Sequence, residues 1–226
     1  FFVDISLKEI VTPYSSTVVF LLLGGFLLAN GFEESNLHKR IALKTITNFG
    51  KTRKKIIFCF IFSTAFFSMW ISNTATCLLM LPIAKFVVDN CFSNKRDNYF
   101  SKILLLSIAY SSSIGGMCTP IGTIPNAVMV SFLNENYGYE IDFIDWFVFM
   151  FPIVFFLLVS LWFFFSFTRK YENEKVDLDS LYSKYKELGN FTTKEKISSF
   201  VLLLTSFLWI FKNTINSIFN IELTDS

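Results

Sequence analysis

One apolar stretch of awkward length constrains this chain more than anything else in it. Residues 56–90 read IIFCFIFSTAFFSMWISNTATCLLMLPIAKFVVDN, apolar except for the patch Ser72-Asn73-Thr74 and for Lys85 and Asp89 near the far end. A straight helix of roughly 35 residues would run about 52 Å, well beyond a hydrocarbon core of about 30 Å. Two full spans would need about 40 residues plus a turn. Two half-helices of about 16 residues, meeting at a polar tip, fit the length. The stretch therefore predicts a re-entrant hairpin that enters the bilayer, turns at Ser72-Asn73-Thr74 and leaves on the side it came from.

A bilayer is the right setting. Apolar residues make up 53% of the 226, charged residues only 17%, and 30 are phenylalanine; soluble domains carry about 25% charged residues. Residues 14–32 are apolar for long enough to span. Within 36–55, Leu37, Ile41, Leu43 and Ile46 recur at near-helical spacing among Lys39, Arg40, Lys44, Lys51, Arg53, Lys54 and Lys55, which predicts an amphipathic helix at the membrane surface. Residues 101–133 are apolar but interrupted by Gly115-Gly116 and by the run Thr119 to Asn126 with its two prolines, Pro120 and Pro125. Such a run cannot continue a regular helix. It predicts a broken span: half-helix, unwound loop, half-helix. A Phe-rich span over 143–168, a polar stretch over 169–196 and the start of another span at 197–211 complete the pass.

The fold class is thus an all-α polytopic membrane protein. Its expected units are a scaffold-type span with a surface helix (1–55), a transport-type unit (56–133, with hairpin 56–90 and broken helix 101–133), an external loop and span (134–168), a cytoplasmic linker (169–196) and the beginning of a second half (197–226). The chain starts at Phe1 rather than Met and stops after a fresh apolar run, so it is read as a fragment or an incomplete gene.

Loop charges supply an independent test, because Lys and Arg accumulate on the cytoplasmic side. Segment 169–196 carries Arg169, Lys170, Lys175, Lys184, Lys186, Lys194 and Lys196, and the loop 91–99 carries Lys95 and Arg96. Segment 134–145 has neither Lys nor Arg but holds Glu135, Glu140, Asp142 and Asp145. If 56–90 crossed the membrane once, the basic and acidic loops would fall on the wrong sides. If it turns back, segments 36–55, 91–99 and 169–196 are all cytoplasmic and the acidic loop is external. Asn190-Phe191-Thr192 matches the glycosylation pattern but falls in the cytoplasmic linker, and is discounted.

Several functions are excluded. A net charge of +2, spread over loops, does not suit nucleic acid. The lone His38, beside Lys39 and Arg40, reads as interfacial. Cys59, Cys77, Cys91 and Cys118 lack CxxC spacing and read as small packing residues rather than a zinc or disulfide framework. Glu33-Glu34 reads as a solvated helix end, and Gly24-Gly25 as close helix packing. No HExxH, no GxSxG and no paired intramembrane aspartates point to an enzyme.

A hairpin tip and an unwound loop at membrane depth are tolerated only where protein buries them or a wet cavity meets them. Discontinuous helices of this kind build the midplane sites of transporters. Half-helix N-termini offer free N–H groups to an anion, and unwound carbonyls suit a hard cation such as Na⁺. Ser72, Asn73 and Thr74 add hydroxyl and amide groups without adding a buried charge. Ser-Asn-Thr alone would equally be a helix cap, and the Gly/Pro run alone a kinked packing helix; the two together, with the length and the loop charges, point to a site.

These residues resemble a known family. MWISNTATCLLMLPIA (69–84) is similar to the first SNT signature of the divalent anion/sodium symporter (DASS) family. SIAYSSSIGGMCTPIGTIPNAV (107–128) resembles the loop that follows it there, and LGGFLLANGFEESNLHKRIAL (23–43) the preceding span and surface helix. The resemblance covers roughly residues 14–168. It implies an ion-transporter-type inverted-repeat fold, of which this chain is the first repeat, and an elevator-type homodimer in the complete protein. It implies symport of Na⁺ with a small anion: a di- or tricarboxylate such as succinate, malate or citrate, or sulfate. An inverted second half with its own SNT hairpin is expected in such carriers, and nothing after residue 168 repeats either motif.

Carried over by position, the resemblance places Ser72, Asn73 and Thr74 on the substrate carboxylate, with Thr123 beside them. It places Ser68, Ser72, Asn73 and Gly122 around the first sodium, with Asn126 as a further candidate. The family loop usually reads Gly-Thr-Pro-Pro-Asn; here Ile124 stands in place of the first proline, and Cys118 where a small residue is common. The plasma membrane or a bacterial inner membrane suits the lysine bias equally. Two alternatives stand beside symport: sodium-independent dicarboxylate exchange on the same fold, and a half-protein that does not transport.

Overall fold

A computed structural model describes residues 17–92, 98–167 and 176–219. Every regular element in them is a helix. In chain order these are α1 Thr17–Ser35, α2 Leu37–Phe49, α3 Arg53–Ser68, α4 Asn73–Asn90, α5 Asn98–Gly116, α6 Ile124–Tyr137, α7 Phe143–Phe167, α8 Leu178–Glu187 and α9 Thr193–Phe219. The all-α class is what the sequence predicts. Residues 14–16 of the first apolar run, Lys95 and Arg96, and Arg169, Lys170 and Lys175 lie outside the described residues.

Local chemistry sets the boundaries. Asn36, in the left-handed region at φ 57°, separates α1 from α2. Helix α2 stops at Gly50, whose N–H donates to the Ile46 carbonyl. Thr52 then caps α3 by accepting from the Lys55 amide. The basic run 51–55 therefore belongs to the turn and to the first turn of α3, not to the surface helix that the periodicity predicts over 36–55. Asp177 caps α8 with bonds from the amides of Asp179 and Ser180. Its carboxyl lies below the usual range, chiefly through the Ser180 hydroxyl. Helix α8 falls inside the stretch read as a polar linker.

Helix α3 is the axis of the core. Ile56, Ile57, Phe60 and Ile61 are fully buried, with Ile46 of α2, Met80 and Val87 of α4 and Leu104 of α5 around them. The start of α3 meets the end of α4: the Arg53 guanidinium stands 4.9 Å from the Phe92 ring and 5.3 Å from that of Phe100. Helices α3 and α4 thus fold back on each other, and α5 starts from the same end. The end of α7 joins them there, Trp162 Nε1 donating to the Lys54 carbonyl at 3.1 Å.

Two described helices are long and apolar enough to cross a bilayer, Phe143–Phe167 and Thr193–Phe219. Their outward faces are bare of protein: Phe149, Phe156 and Leu203 are each about 70% exposed. Surfaces of this kind suit lipid rather than water.

His38 and Arg40 depart from the interfacial reading. Both are buried, at 2% and 6% exposure. Helix α2 packs on both α3 and α8, and His38 and Arg40, two positions apart, project from different sides of it. All four cysteines are free and wholly or partly buried, as packing residues are.

Candidate functional site

Two helix breaks meet in the body of the chain, residues 69–72 between α3 and α4 and residues 117–123 between α5 and α6. They are laced together. The Thr119 hydroxyl donates to the Met69 carbonyl at 2.5 Å. Ser68 Oγ lies 2.6 Å from the Ser112 carbonyl and 2.8 Å from Asn73 Oδ1. The Asn126 amide donates to the carbonyls of Gly116 at 2.9 Å and Thr119 at 2.8 Å.

The close approach depends on glycines. A Cβ on Gly115 would collide with the Ala65 backbone, and one on Gly116 with the Asn73 side-chain amide. A Cβ on Gly122 would lie 2.5 Å from the Gly116 carbonyl oxygen and 3.0 Å from that of Ser68. Glycine at all three lets the loop settle onto the break without displacing either.

The breaks give the site two electrostatic halves. Helices α3 and α5 end here, bringing the negative ends of their dipoles and their terminal carbonyls. Helices α4 and α6 begin here, bringing positive ends and free N–H groups. On the first side gather the Ser68 carbonyl and hydroxyl, Asn73 Oδ1 and the Gly116 carbonyl. This donor set is all neutral oxygen, the chemistry of a hard cation. Among the described residues no group of three or more His, Cys, Asp or Glu could hold a metal ion.

On the second side opens a cavity of about 260 Å³. Ser72, Asn73 and Thr74 of the α4 N-terminus line it, and so do Thr123, Ile124 and Pro125 of the α6 N-terminus. Gly25, Phe26 and Ala29 of α1 form the opposite wall. No ionisable side chain lines the cavity, so its attraction for an anion comes from the two helix ends and from neutral donors. Ser72 is the N-cap of α4, its oxygen accepting from the Ala75 amide at 3.4 Å. Thr123 is the N-cap of α6, but its side chain makes no capping bond.

All four residues that the resemblance places at substrate therefore share one cavity. Of the four placed around sodium, Ser68, Asn73 and Gly122 stand together, Asn73 and Gly122 on the cavity wall and Ser68 outside its lining, while the Ser72 hydroxyl serves the helix start. Sequence reasoning missed Gly116, Thr119 and Trp70. Trp70 also lines the cavity, and it stacks on Phe143 and Trp209 at centroid separations of 6.3 and 6.4 Å. Gly25 is both things at once: it packs against Ile121, and it lines the cavity.

A sequence model described as citrate transporter matches residues 1–223. The sodium-dependent dicarboxylate transporter SdcS of Staphylococcus saprophyticus is 34% identical over 213 residues, covering 90% of this chain and 41% of the relative. The protein of that name from Staphylococcus aureus (strain USA300) is 34% identical over 217 residues, with the same coverage. The chain spans about two fifths of the length of these curated relatives. With almost its whole length matched, this helical chain of paired breaks belongs to the citrate transporter family, a family of membrane carriers.

Proposed function

We propose that this chain holds one sodium site and half of the anion cradle of a carrier that couples inward movement of Na⁺ to uptake of a dicarboxylate. The observation that carries the reading is the pairing of two helix N-termini on one cavity without ionisable side chains with two helix C-termini on an adjoining oxygen cluster. Asn73 belongs to both, its Oδ1 beside Ser68 Oγ and its residue on the cavity wall. The names of the relatives, sodium-dependent dicarboxylate transporters, support the same ion and the same class of anion.

In this mechanism Na⁺ binds first, held by Ser68, Asn73 and Gly122, with Ser72 at its edge. Its charge draws the two breaks together and offsets the desolvation cost of a dianion entering beside them. Ser72, Asn73, Thr74 and Thr123 then hold one carboxylate. The hairpin 56–90 is re-entrant, and it moves with the broken helix 101–133 as one unit across a scaffold that includes α1. The complete carrier works as a homodimer. Segments 36–55, 91–99 and 169–196 face the cytoplasm.

Uptake of labelled succinate into proteoliposomes carrying the full gene product tests this. Wild-type uptake is expected to need an inward Na⁺ gradient, and Asn73→Ala to abolish the sodium-dependent part. Wild-type rates in the Asn73→Ala carrier would refute the site. Uptake indifferent to sodium would refute the coupling.

A further inference from the structure

Thr119 is fully buried and makes contacts in three directions. Its hydroxyl donates to the Met69 carbonyl at 2.5 Å, inside the first break. The same oxygen accepts from the Gly122 amide at 3.0 Å, inside the second. Its own carbonyl accepts from the Asn126 side chain at 2.8 Å. One residue thus joins the end of α3, the peptide of Gly122 and the start of α6.

We propose that Thr119 is a positioning residue for the cation half of the site: its hydroxyl ties the α3–α4 break to the Gly122 peptide and so sets the spacing of the oxygens that hold the ion. This deepens the sodium-coupled reading and rests on it. The geometry explains why a hydroxyl is needed. Met69 offers an acceptor and Gly122 a donor, and a hydroxyl serves both at once through a single atom. Valine has nearly the same shape and serves neither, leaving the buried Met69 carbonyl without that partner and the Gly122 amide with only its longer bond to the Thr119 carbonyl, at 3.3 Å. The α3 C-terminus and Gly122 would then relax apart. The link itself uses none of the cavity-lining side chains of Ser72, Thr74 and Thr123.

The test separates ion from anion. In proteoliposomes of the full gene product, Thr119→Val is expected to raise the Na⁺ concentration for half-maximal succinate uptake about tenfold, as the loss of one to two buried hydrogen bonds would. The maximal rate and the succinate half-saturation, both read at saturating Na⁺, are expected to stay within about twofold. Thr119→Ser, which keeps the hydroxyl, is expected to restore the wild-type sodium dependence. Where Thr119→Val does not reconstitute, Thr119→Ala removes the same hydroxyl with less bulk and is expected to give the same sodium-selective shift. An unshifted sodium dependence, or equal loss in the Val and Ser variants, overturns the inference. Wild-type uptake that ignores sodium would overturn the proposed function and this inference together; sodium-dependent wild-type uptake with an unshifted Val variant overturns the inference alone.

Discussion

Ser68 has one hydroxyl proton and two oxygens within reach of it, the Ser112 carbonyl at 2.6 Å and Asn73 Oδ1 at 2.8 Å. Whichever takes the proton, a pair of oxygens is left close together without one, which a small cation would relieve under the proposed reading. The single histidine makes the opposite case, a group with no ligand to meet. His38 is 2% exposed, and its Nδ1 has no hydrogen-bond partner. Burial is the main reason its pKa falls to about 4, with Lys39 adding to the effect and the Phe32 backbone opposing it. In the unfolded chain the ring titrates near its ordinary 6.5. Below that pH the unfolded chain takes up a proton that the folded chain refuses, so stability falls as pH falls from about 6.5 toward about 4. Between pH 6.5 and 5 the loss is at most about 2 kcal/mol. Thermal unfolding in detergent is expected to show a midpoint lower at pH 5 than at pH 7.5, and His38→Leu to narrow that gap. An identical gap in the variant would mean that His38 takes no part in it.

Helix α2 is held at the level of elements, and Arg40 holds it. Its guanidinium donates to both Glu195 oxygens, at 2.6 and 3.1 Å, and to the carbonyls of Leu188, Gly189 and Asn190. The Phe191 ring lies 5.3 Å away. The Glu195 hydrogen bond is the main reason the Arg40 pKa is raised. Glu195 also closes a capping box at the head of α9, accepting from the Thr192 amide at 2.7 Å while its own amide donates to the Thr192 hydroxyl at 3.2 Å. Removing the carboxylate leaves a buried cation, which costs about 3–5 kcal/mol. Glu195→Ala is expected to destabilise by that much, and the double variant Arg40→Met/Glu195→Ala by clearly less than the sum of the single changes. Strict additivity in a double-mutant unfolding cycle would disprove the coupling. Of this only half is legible in sequence. The spacing of Leu37, Ile41 and Ile46 reveals a buried face, but a period names no partner, and Arg40 meets a residue at position 195. Helix α8 hides for a related reason: its charge reads as linker, although Leu178, Leu181 and Tyr185 repeat at helical spacing and Leu181 is fully buried. In the site, the motif residues are legible because breaking a helix takes special residues. Thr119 is not, because one threonine among several in a loop looks like any other until its three partners are placed.

At the scale of the whole molecule, the described residues form two apolar cores of unequal size. The large one runs along α3. The small one, Leu21, Ile121, Phe143 and Trp209 with Trp70 against them, joins the two breaks to α1, α7 and α9. The large core takes in Phe32 of α1, Val154 and Leu158 of α7 and Leu181 of α8 as well, so it binds the hairpin helices to their neighbours. Everything then depends on which ends lie together. Arg53 beside Phe92, the Lys54 carbonyl bonded to Trp162, and the Cys91 carbonyl bonded to the Asp177 amide at 3.0 Å gather one set of ends. Lys212 paired with Asp142 ties α9 to the turn before α7. Single cysteines at Lys51 and Asn90, which flank the hairpin, and at Tyr139, in the acidic loop, read this out in the full gene product. Lys51, Asn90 and Tyr139 are all exposed. A membrane-impermeant maleimide applied to sealed, oriented vesicles is expected to label Lys51→Cys and Asn90→Cys from one face and Tyr139→Cys from the other. Labelling of Lys51→Cys and Asn90→Cys from opposite faces would mean that α3 and α4 pass through the bilayer, and would overturn the re-entrant reading of 56–90 and the loop orientation that rests on it.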